Sequence, residues 1–532
     1  MPKPLRVLAV LALLTVARHL PAQSAGADSA AQEPGGRVVL VLPFDNRSGE
    51  ANLNWIGDSF PDTLDQRLNS AGFLTISHDD RAFALDHLGL PPNFRPTRAT
   101  TLRIAQTLDA NFVVVGNYTV REGRIMVQAQ VLEVNKLRMS APLDDSSELA
   151  RLFDIENAVA WKVARQIDPK FSVAQQTFLA ASAGVNLTAF ENYIRGLDAP
   201  TPAERVKRLQ AAVAASPSYA QALLALGKQE FADLNYAAAA ADLDKVPPAD
   251  RLALEAGFYK GLARFNDAKY ADAEAAFAFV ATRLPLPEVV NNQGVAASRQ
   301  GKDASALLQR AANADPNDPD YHYNVAVATY RKGDFAAAQR EIAAALKLRP
   351  NDAEAKELQT HIAAGRTPLA AKAPFEPLER IRRTYSEASF RQAAFQLDQM
   401  RAMRLATLPP AQQAAEYTQL GHDYLKQGLL PEAEQEFEAA LAADKNSAAA
   451  YAGIAQIREQ SGNAEDARLN AQNSLRLKPN VPACLVLARL NLVANDLPAS
   501  AAYVGNALRL NPKDPGALGL KQQLESRGQS IP

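Results

Sequence analysis

The stretch that decides the fold of this chain runs from Ala414 to Pro512 and consists of three related segments. In order, they read AAEYTQLGHDYLKQGLLPEAEQEFEAALAADKNS, AAAYAGIAQIREQSGNAEDARLNAQNSLRLKPN and VPACLVLARLNLVANDLPASAAYVGNALRLNP. When the segments are aligned on Ala414, Ala448 and Val481, large residues share the fourth and seventh places. Small residues share the eighth, twentieth and twenty-seventh places. A period of roughly 34 residues with this spacing predicts a solenoid of two-helix units.

The physical chemistry of each segment supports this interpretation. Large residues three and four apart place an apolar stripe on the first helix. Small residues at the eighth and twentieth places allow the two helices to approach closely. Gly428 and Gly462 fall between the helices, where a positive φ is needed. Pro479 and Pro512 follow the second helices and end them. One unit cannot bury its stripe alone, so neighbouring units must stack.

The three segments resemble the tetratricopeptide repeat. Weaker units of the same kind precede them, beginning at Asn186, Ser218, Leu254, Pro287 and Pro319. The resemblance implies antiparallel helix pairs whose fifth, ninth and twelfth places face an inner, concave surface. We therefore expect one array over residues 186–352 and a second over 414–513, joined by an irregular helical connector at 353–413 that includes a helix from Pro377 to Leu405. Residues 514–532 are expected to form a capping helix and tail.

A different pattern precedes the repeats. RVVLVLPF at 37–44 predicts a buried strand, and a helix with apolar spacing follows from Trp55. Two further strands, at 111–120 and 124–134, flank Glu122-Gly123, which predicts a hairpin turn. VLPFDNRSG, WIGDSFPDTLDQRL and VVVGNYTVREGRIMVQAQVLEV are similar to the TolB amino-terminal-like domain. That resemblance implies a small mixed-sheet α/β domain over 37–170 that is used in protein contacts.

The first residues predict export. Lys3 and Arg6 precede the apolar run from Val7 to Ala17, which is too short to span a bilayer. We expect a signal peptide at 1–22, a linker at 23–36, and an exported protein without an integral membrane segment after cleavage. The periplasm is the expected location, with secretion as the alternative. The predicted fold class is thus α+β and multidomain: an α/β domain followed by an all-α solenoid in two arrays.

Composition and motifs favour binding over catalysis. The 57 basic and 58 acidic residues nearly cancel, which argues against nucleic acid as a partner. His78-Asp79-Asp80 has no second ligand cluster, and Gly294 to Gly301-Lys302 lacks phosphate-loop spacing. We expect no metal, no cofactor and no catalytic residue. Cys484 occupies a packing place and is expected to be buried. The alternative is a hydrolase-type enzyme with an unrecognised site in the α/β domain.

The candidate binding residues follow from the repeat register. The fifth, ninth and twelfth places of two units carry mostly large apolar side chains that would form a protein-binding groove: Phe258, Leu262, Phe265, Tyr323, Val327 and Tyr330. Burial of these rings against another part of the chain is the alternative. Asn292 and Asn324 share the sixth place, but basic partners for a carboxylate clamp are missing. The cluster Arg380 to Arg383 could bind an acidic partner, although a solvated helix face is the simpler interpretation.

The sequence therefore predicts a non-catalytic scaffold or assembly factor of the cell envelope. Its partner would be a protein or peptide bound on the concave face of the solenoid. The identity of that partner and the oligomeric state do not follow from the residues.

Overall fold

A computed structural model describes residues 37–90, 97–180, 186–248, 250, 252–365, 375–385, 400–426 and 428–531. The predicted signal peptide and the linker after it lie outside these residues. The described chain begins with a mixed sheet and continues as successive helix pairs. The coarse prediction, a small mixed-sheet domain followed by helical repeats, is confirmed.

Within the described residues, the sheet has seven strands: β1 Val38–Val41, β2 Asp45–Asn46, β3 Leu74–Thr75, β4 Phe112–Arg121, β5 Arg124–Glu133, β6 Arg138–Met139 and β7 Leu143–Glu148. The central three have the order β1–β4–β5. Strand β1 pairs in parallel with β3 and β4, and β2 also pairs in parallel with β4. Strand β5 pairs antiparallel with β4, β6 and β7.

The hairpin between β4 and β5 forms where the sequence predicts it. Glu122 and Gly123 have φ of 50° and 74°, as a two-residue turn with both central residues left-handed requires. Strand β7 was not predicted, because its sequence LDDSSE has no apolar alternation. It lies beside β5 at the edge of the sheet, where a polar strand is tolerated.

Helices cover both faces of the sheet: α1 Trp55–Ser70, α2 His78–His87, α3 Arg98–Thr107 and α4 Leu152–Ile167, with short 3₁₀ turns at Ala51–Leu53 and Leu149–Arg151. Val39 and Val41 pack into the core formed with α1 and α4, whereas Leu40 and Leu42 pack on the opposite side with Ile104 of α3. This alternation follows from the two-residue period of a strand.

Gly57 marks the closest approach of α1 to the sheet. A Cβ atom built on Gly57 would lie 2.3 Å from the carbonyl oxygen of Phe44, which is main chain and cannot rotate away. We expect Gly57→Ala to cost about 1–3 kcal/mol of unfolding free energy by forcing α1 outward. The matched control is Gly519→Ala on an exposed helix face, where a Cβ meets nothing within 4 Å. That control should stabilise by about 0.5–1 kcal/mol; equal effects at both positions would contradict the prediction.

Helix pairs follow from residue 187. The helices before residue 365, here called the amino-terminal repeats, are α6 Leu187–Leu197, α7 Pro202–Ala215, α8 Ala220–Ala232, α9 Tyr236–Leu243, α10 Ala253–Asn266, α11 Tyr270–Ala281, α12 Pro287–Ser298, α13 Ser305–Ala314, α14 Pro319–Arg331, α15 Phe335–Leu348 and α16 Ala353–Ala363. The carboxy-terminal repeats are α17 Pro410–Lys426, α18 Leu430–Ala443, α19 Ala448–Gln460, α20 Ala464–Leu477, α21 Val481–Val493, α22 Leu497–Leu510 and α23 Pro515–Ser526.

Glycines at the eighth place bring the paired helices together. A Cβ at Gly261 would lie 2.6 Å from the Phe277 ring, and one at Gly421 would lie 2.7 Å from the Phe437 ring. Each large ring of the second helix thus occupies the space that the missing side chain leaves. The predicted role of the small residues is consistent with this packing.

The segment between the α/β domain and the first repeat also carries structure. Helix α5, Gln175–Ala180, contacts α4 of the α/β domain as well as α18 and α19 of the carboxy-terminal repeats. Phe171, Val173 and Phe178 around it are buried. The carboxy-terminal repeats are therefore held in two ways. The chain that leads into them connects them covalently, and their contacts with α5 hold them near the start of the solenoid.

The connector differs from its prediction. The described residues 375–385 are extended, although the sequence predicts a helix from Pro377 to Leu405. Pro377 lacks a main-chain N–H, and the main-chain groups that follow form hydrogen bonds with side chains of the repeats instead of with one another. Residues 400–406 are helical, as predicted, and 386–399 lie outside the described residues.

Candidate peptide-binding groove

The extended residues 375–385 lie in a groove formed by the first helices α10, α12, α14 and α16. We call these residues the groove segment. It runs antiparallel to the order of the repeats: Phe375 stacks on His361 of α16, and Tyr385 lies against Phe258 of α10, with ring centroids 3.9 Å and 5.3 Å apart. The first helices of the amino-terminal repeats therefore contact a stretch of the same chain.

Two asparagines hold the main chain of the segment. Asn324 accepts from the Arg380 N–H at 2.6 Å and donates to the Arg380 carbonyl oxygen at 2.8 Å. Asn292 makes the same pair of hydrogen bonds with Arg382, at 2.8 Å and 2.7 Å. Asn291 adds a bond to the Arg380 carbonyl at 3.1 Å. A carboxamide carries both a donor and acceptor, so it can serve both main-chain groups of one extended residue.

The register explains this arrangement. Asn292 and Asn324 share the sixth place of consecutive units, and they hold alternate residues of the segment, 382 and 380. Alternate residues of an extended chain present their main-chain groups to the same side. Consecutive repeats thus hold residues that are two positions apart in the segment. The carboxylate clamp considered from the sequence is not formed by these asparagines, which bind main-chain groups inside the chain.

A basic pocket receives the side chain of Glu379, which is fully buried. Arg331 lies 2.5 Å from Glu379 Oε1, Arg299 lies 3.5 Å from Oε2, and Ser298 also hydrogen-bonds the carboxylate. Arg331 further donates to the Pro377 carbonyl oxygen. A buried carboxylate requires such compensation, because it would otherwise lose its hydration without replacement.

An acidic rim lies on the opposite side, at the amino-terminal ends of α14 and α16. The Arg380 guanidinium contacts Asp320, Asp352 and Glu354 at 2.8 Å, 2.6 Å and 2.7 Å. Hydrogen bonds from Arg380 lower the pKa of Asp352 to about 2, although burial opposes the shift. Arg382 pairs with Asp318 and Asp320. Arg380 and Arg382 are therefore bound in the groove and do not form the solvated helix face that the sequence suggested.

Aromatic side chains form the floor of the groove. The Arg380 guanidinium lies 3.9 Å from the ring centroid of Tyr323, within the range of a cation–π contact. Burial raises the pKa of Tyr323 to about 12, against the opposing effect of Arg380. The Tyr330 and Phe375 rings are 6.4 Å apart, and Ile381 packs against the same apolar clusters as Phe265.

The six predicted site residues fall in two apolar clusters, Phe258, Leu262 and Phe265 in one and Tyr323, Val327 and Tyr330 in the other. Five of them are buried and Phe265 is partly accessible: Phe258, Leu262, Tyr323, Val327 and Tyr330 have relative exposures of 0–2%. The rings are covered by the groove segment, which agrees in kind with the alternative of burial against another part of the chain. Binding of a separate protein by these residues remains a prediction.

Sequence reasoning missed the charged residues of the groove. Arg299 and Arg331 share the thirteenth place of consecutive units, and Asp318 and Asp320 begin α14. A comparison of the units at that place would have found the basic pair. The acidic residues look like ordinary helix amino-terminal residues, since acidic groups are favoured there for general reasons.

A second buried ion pair joins the carboxy-terminal repeats to the segment around α5. Arg458 of α19 binds both oxygens of Glu434 of α18, at 2.6 Å and 2.8 Å. Ala174 donates its N–H to Glu434 at 2.9 Å, and the Thr177 hydroxyl donates to the other oxygen. Because every group is satisfied by a different element, the cluster specifies how these elements meet.

The α/β domain holds a buried carboxyl at the contact of α1 and α4. Glu156 accepts hydrogen bonds from Ser59 and, at 2.7 Å, from Thr63. Burial raises the pKa of Glu156 to about 8, against the opposing effect of both hydroxyls. The carboxyl therefore binds its proton more tightly in the folded than in the unfolded chain, whose pKa is near 4.5. Stability from this group is complete below that value and is lost as pH rises toward 8.

We expect Glu156→Gln to remove this pH dependence. Glutamine keeps a donor and an acceptor for Ser59 and Thr63 without a charge. The free energy of unfolding of the wild type, relative to the variant, should fall by up to about 1.4 kcal/mol per pH unit across this range. Urea titrations at several pH values, followed by Trp55 and Trp161 fluorescence, would measure it. Glu148→Gln on an exposed strand is the control; parallel curves for wild type and Glu156→Gln would refute the assignment.

The other residues that the sequence analysis singled out lie in ordinary packing or turn positions. Cys484 is buried, as predicted, and burial raises the pKa of its thiol. Gly301 has a φ of 75° in the turn between α12 and α13, as the ordinary-turn interpretation requires. Within the described ranges, no three His, Cys, Asp or Glu side chains are grouped to hold a metal ion. The helices of the same ranges include none with the length and apolar character needed to cross a membrane.

Comparisons with known proteins identify the repeats. Residues 418–482 match the family model described as tetratricopeptide repeat, and residues 319–364 match the one described as Fis1 C-terminal tetratricopeptide repeat. A search of the curated proteins found no match to the chain.

Several solved structures are similar to parts of the chain. The LpoB C-terminal domain from Escherichia coli is 24% identical, with 21% of this chain and 83% of that chain covered and a TM-score of 0.19. A tetratricopeptide repeat protein from Parabacteroides merdae is 10% identical, with coverages of 57% and 97% and a TM-score of 0.26. The complex of the TPR2AB domain of yeast Sti1 with pHSP90 is 12% identical, with coverages of 52% and 96% and a TM-score of 0.20.

At these TM-scores the structural likenesses assign no role to any residue. The two family matches cover parts of both helical runs, and the observed helix pairs have the spacing of such repeats. The chain therefore carries tetratricopeptide repeats, which generally serve as protein-interaction scaffolds.

Proposed function

We propose that this protein is an exported, non-catalytic interaction scaffold or assembly factor of the cell envelope. Its groove over α10 to α16 binds an extended peptide segment of a protein partner. The observation that supports the proposal is the pairing of Asn292 and Asn324 with both main-chain groups of residues 382 and 380. Such contacts require an extended backbone, and an extended peptide from another protein could make them in place of the internal segment.

The test of binding is site-specific photocrosslinking in the native host. A photoreactive residue at Phe265, which is partly accessible at the groove, should crosslink to a protein partner in the envelope fraction. The same residue at Phe83, which is 71% exposed on α2, serves as the matched control. Crosslinking at Phe265 should disappear when Asn292 and Asn324 are both changed to alanine. Equal crosslinking at the two positions, or none at Phe265, would count against the groove.

Export is tested separately. The basic residues Lys3 and Arg6 and the apolar run after them support cleavage near Ala22. Mass spectrometry of the native protein should find an amino terminus between Gln23 and Gly26. Recovery of the form that begins at Met1 from the cytosol would refute export while leaving the binding proposal intact.

A further inference from the structure

We propose that the groove segment is a built-in competitor for the peptide partner. The partner then carries, in extended form, the order acidic, basic, apolar, basic that the chain presents at Glu379, Arg380, Ile381 and Arg382. This inference rests on the proposed function of the groove and adds the chemistry of the ligand and the control of access.

The acidic position is selected by a pocket that surrounds one carboxylate. The side chain of Glu379 is fully buried between Arg299 and Arg331, and Ser298 donates to the same group. Two guanidinium groups facing one buried site would repel each other without a carboxylate between them. A peptide lacking the acidic residue would leave both arginines uncompensated, so this position contributes most to specificity.

The basic positions are selected by the acidic rim. Arg380 meets Asp320, Asp352 and Glu354, and Arg382 meets Asp318 and Asp320. Because an extended chain alternates sides, neighbouring residues of opposite charge point to opposite rims. The order Glu-Arg therefore matches a basic pocket on one side and an acidic rim on the other, and the reverse order would place like charges together.

The contacts have the form of ligand binding. Residues 375–385 belong to no helix or strand of the described chain, and side chains of the repeats supply the hydrogen bonds to residues 380 and 382. The outward side is exposed, with Leu378 at 54% relative exposure. A second peptide of the same pattern could satisfy the same side chains once this segment leaves.

The covalent connection sets the strength of competition. A tethered segment competes at an effective concentration on the order of millimolar. With a micromolar intrinsic affinity, this gives a competition factor of up to about 1,000, and a segment that seats even about 100-fold less well would still make a free peptide bind the intact protein about 10-fold more weakly than a protein whose segment cannot occupy the groove. A partner must therefore bind with high affinity or at several sites to displace the segment. The segment thus sets a minimum affinity that a partner needs.

The experiment uses a labelled synthetic peptide of residues 375–385 and the full-length protein. In one variant, Glu379→Ala, Arg380→Ala and Arg382→Ala weaken the internal segment and leave every groove residue intact. We expect the peptide to bind this variant at least about 10-fold more tightly than the wild type. Adding Asn292→Ala and Asn324→Ala should abolish binding. A peptide with Glu379→Gln should bind markedly more weakly, whereas one with the exposed Leu378→Ala change should bind like the parent.

The outcomes separate the two proposals. Equal, groove-dependent binding to wild type and variant would overturn the competition and leave the peptide site in place. No binding to either protein would overturn both. Hydrogen exchange supplies a readout that needs no variant: excess unlabelled peptide should speed exchange of the Arg380 and Arg382 amides in the wild type. Unchanged exchange at saturating peptide would show that the segment is a permanent part of the fold and would overturn the proposal.

Discussion

Replacing Arg458 with alanine is expected to destabilise the carboxy-terminal repeats by about 3–5 kcal/mol, because it leaves the buried carboxylate of Glu434 without a countercharge. Glu434 has no exposed surface and lies within α18, so it cannot reach water without moving the helix. The Ala174 N–H and the Thr177 hydroxyl still donate to it, but neither carries a charge. The loss should also loosen α5 from the repeats.

The control for this prediction is a partly exposed pair of the same kind. Arg489 contacts Glu459 at 2.6 Å, but the arginine side chain is 37% exposed. Arg489→Ala should cost about 0–1 kcal/mol, as exposed ion pairs do. Urea titration followed by far-ultraviolet circular dichroism would measure both variants. The double change Arg458→Met with Glu434→Gln should recover part of the loss, and a cost below about 1 kcal/mol for Arg458→Ala alone would contradict the argument.

Phe437→Ala is expected to have a similar effect, about 3–5 kcal/mol, through the loss of a fully buried ring. The ring lies between Gly421 of α17 and Gly453 of α19, whose added Cβ atoms would come within 2.7 Å and 2.3 Å of it. The two glycines provide no side chain at these points that could move into the space, although the His422 ring also contacts Phe437, with ring centroids 5.1 Å apart. The cavity should therefore remain open, and the cost should lie at the upper end for such substitutions.

Two further variants test the cause. Phe83→Ala removes a ring that is 71% exposed and should change stability by less than about 0.5 kcal/mol. Adding Gly453→Ala to Phe437→Ala should restore part of the stability, since the new methyl group enters the vacated space and alanine favours the helix. The same melting temperature for Phe437→Ala and wild type would show that the predicted repeat register around Gly421 is wrong.

The groove and the Glu434 cluster differ in what their loss should do. Glu379 belongs to an extended segment outside the repeats' own helices. Removing Arg331 would therefore let the segment leave the groove, and the Glu379 carboxylate would be hydrated again. The cost to folding is then limited by the free energy of seating the segment. Glu434 lies within α18, so its carboxylate cannot become hydrated in this way. We therefore expect substitutions in the groove to affect binding first and those around Arg458 to affect folding first.

Local pattern was enough to predict the repeated helix pairs. The spacing of large and small residues from Ala414 to Pro512 determines which faces pack, and the prediction of a capping helix after Pro512 agrees with α23 at Pro515–Ser526. The hairpin at Glu122-Gly123 follows from the same kind of evidence, because a tight turn depends on a few adjacent residues. In each case the interactions that decide the structure join residues close together in sequence.

The tertiary structure alone decided what fills the groove. The residues from Pro377 to Arg383 have helix-compatible spacing. Nothing in this local sequence indicates that Asn292 and Asn324, which lie far away along the chain, bind its main-chain groups. Their main-chain groups pair with those asparagines, and their charges pair with Arg331, Asp320 and Asp352, so the extended form is favoured over a helix. The sequence by itself determined the repeats, whereas long-range pairing of buried charges and main-chain groups determined what lies on the face of their first helices.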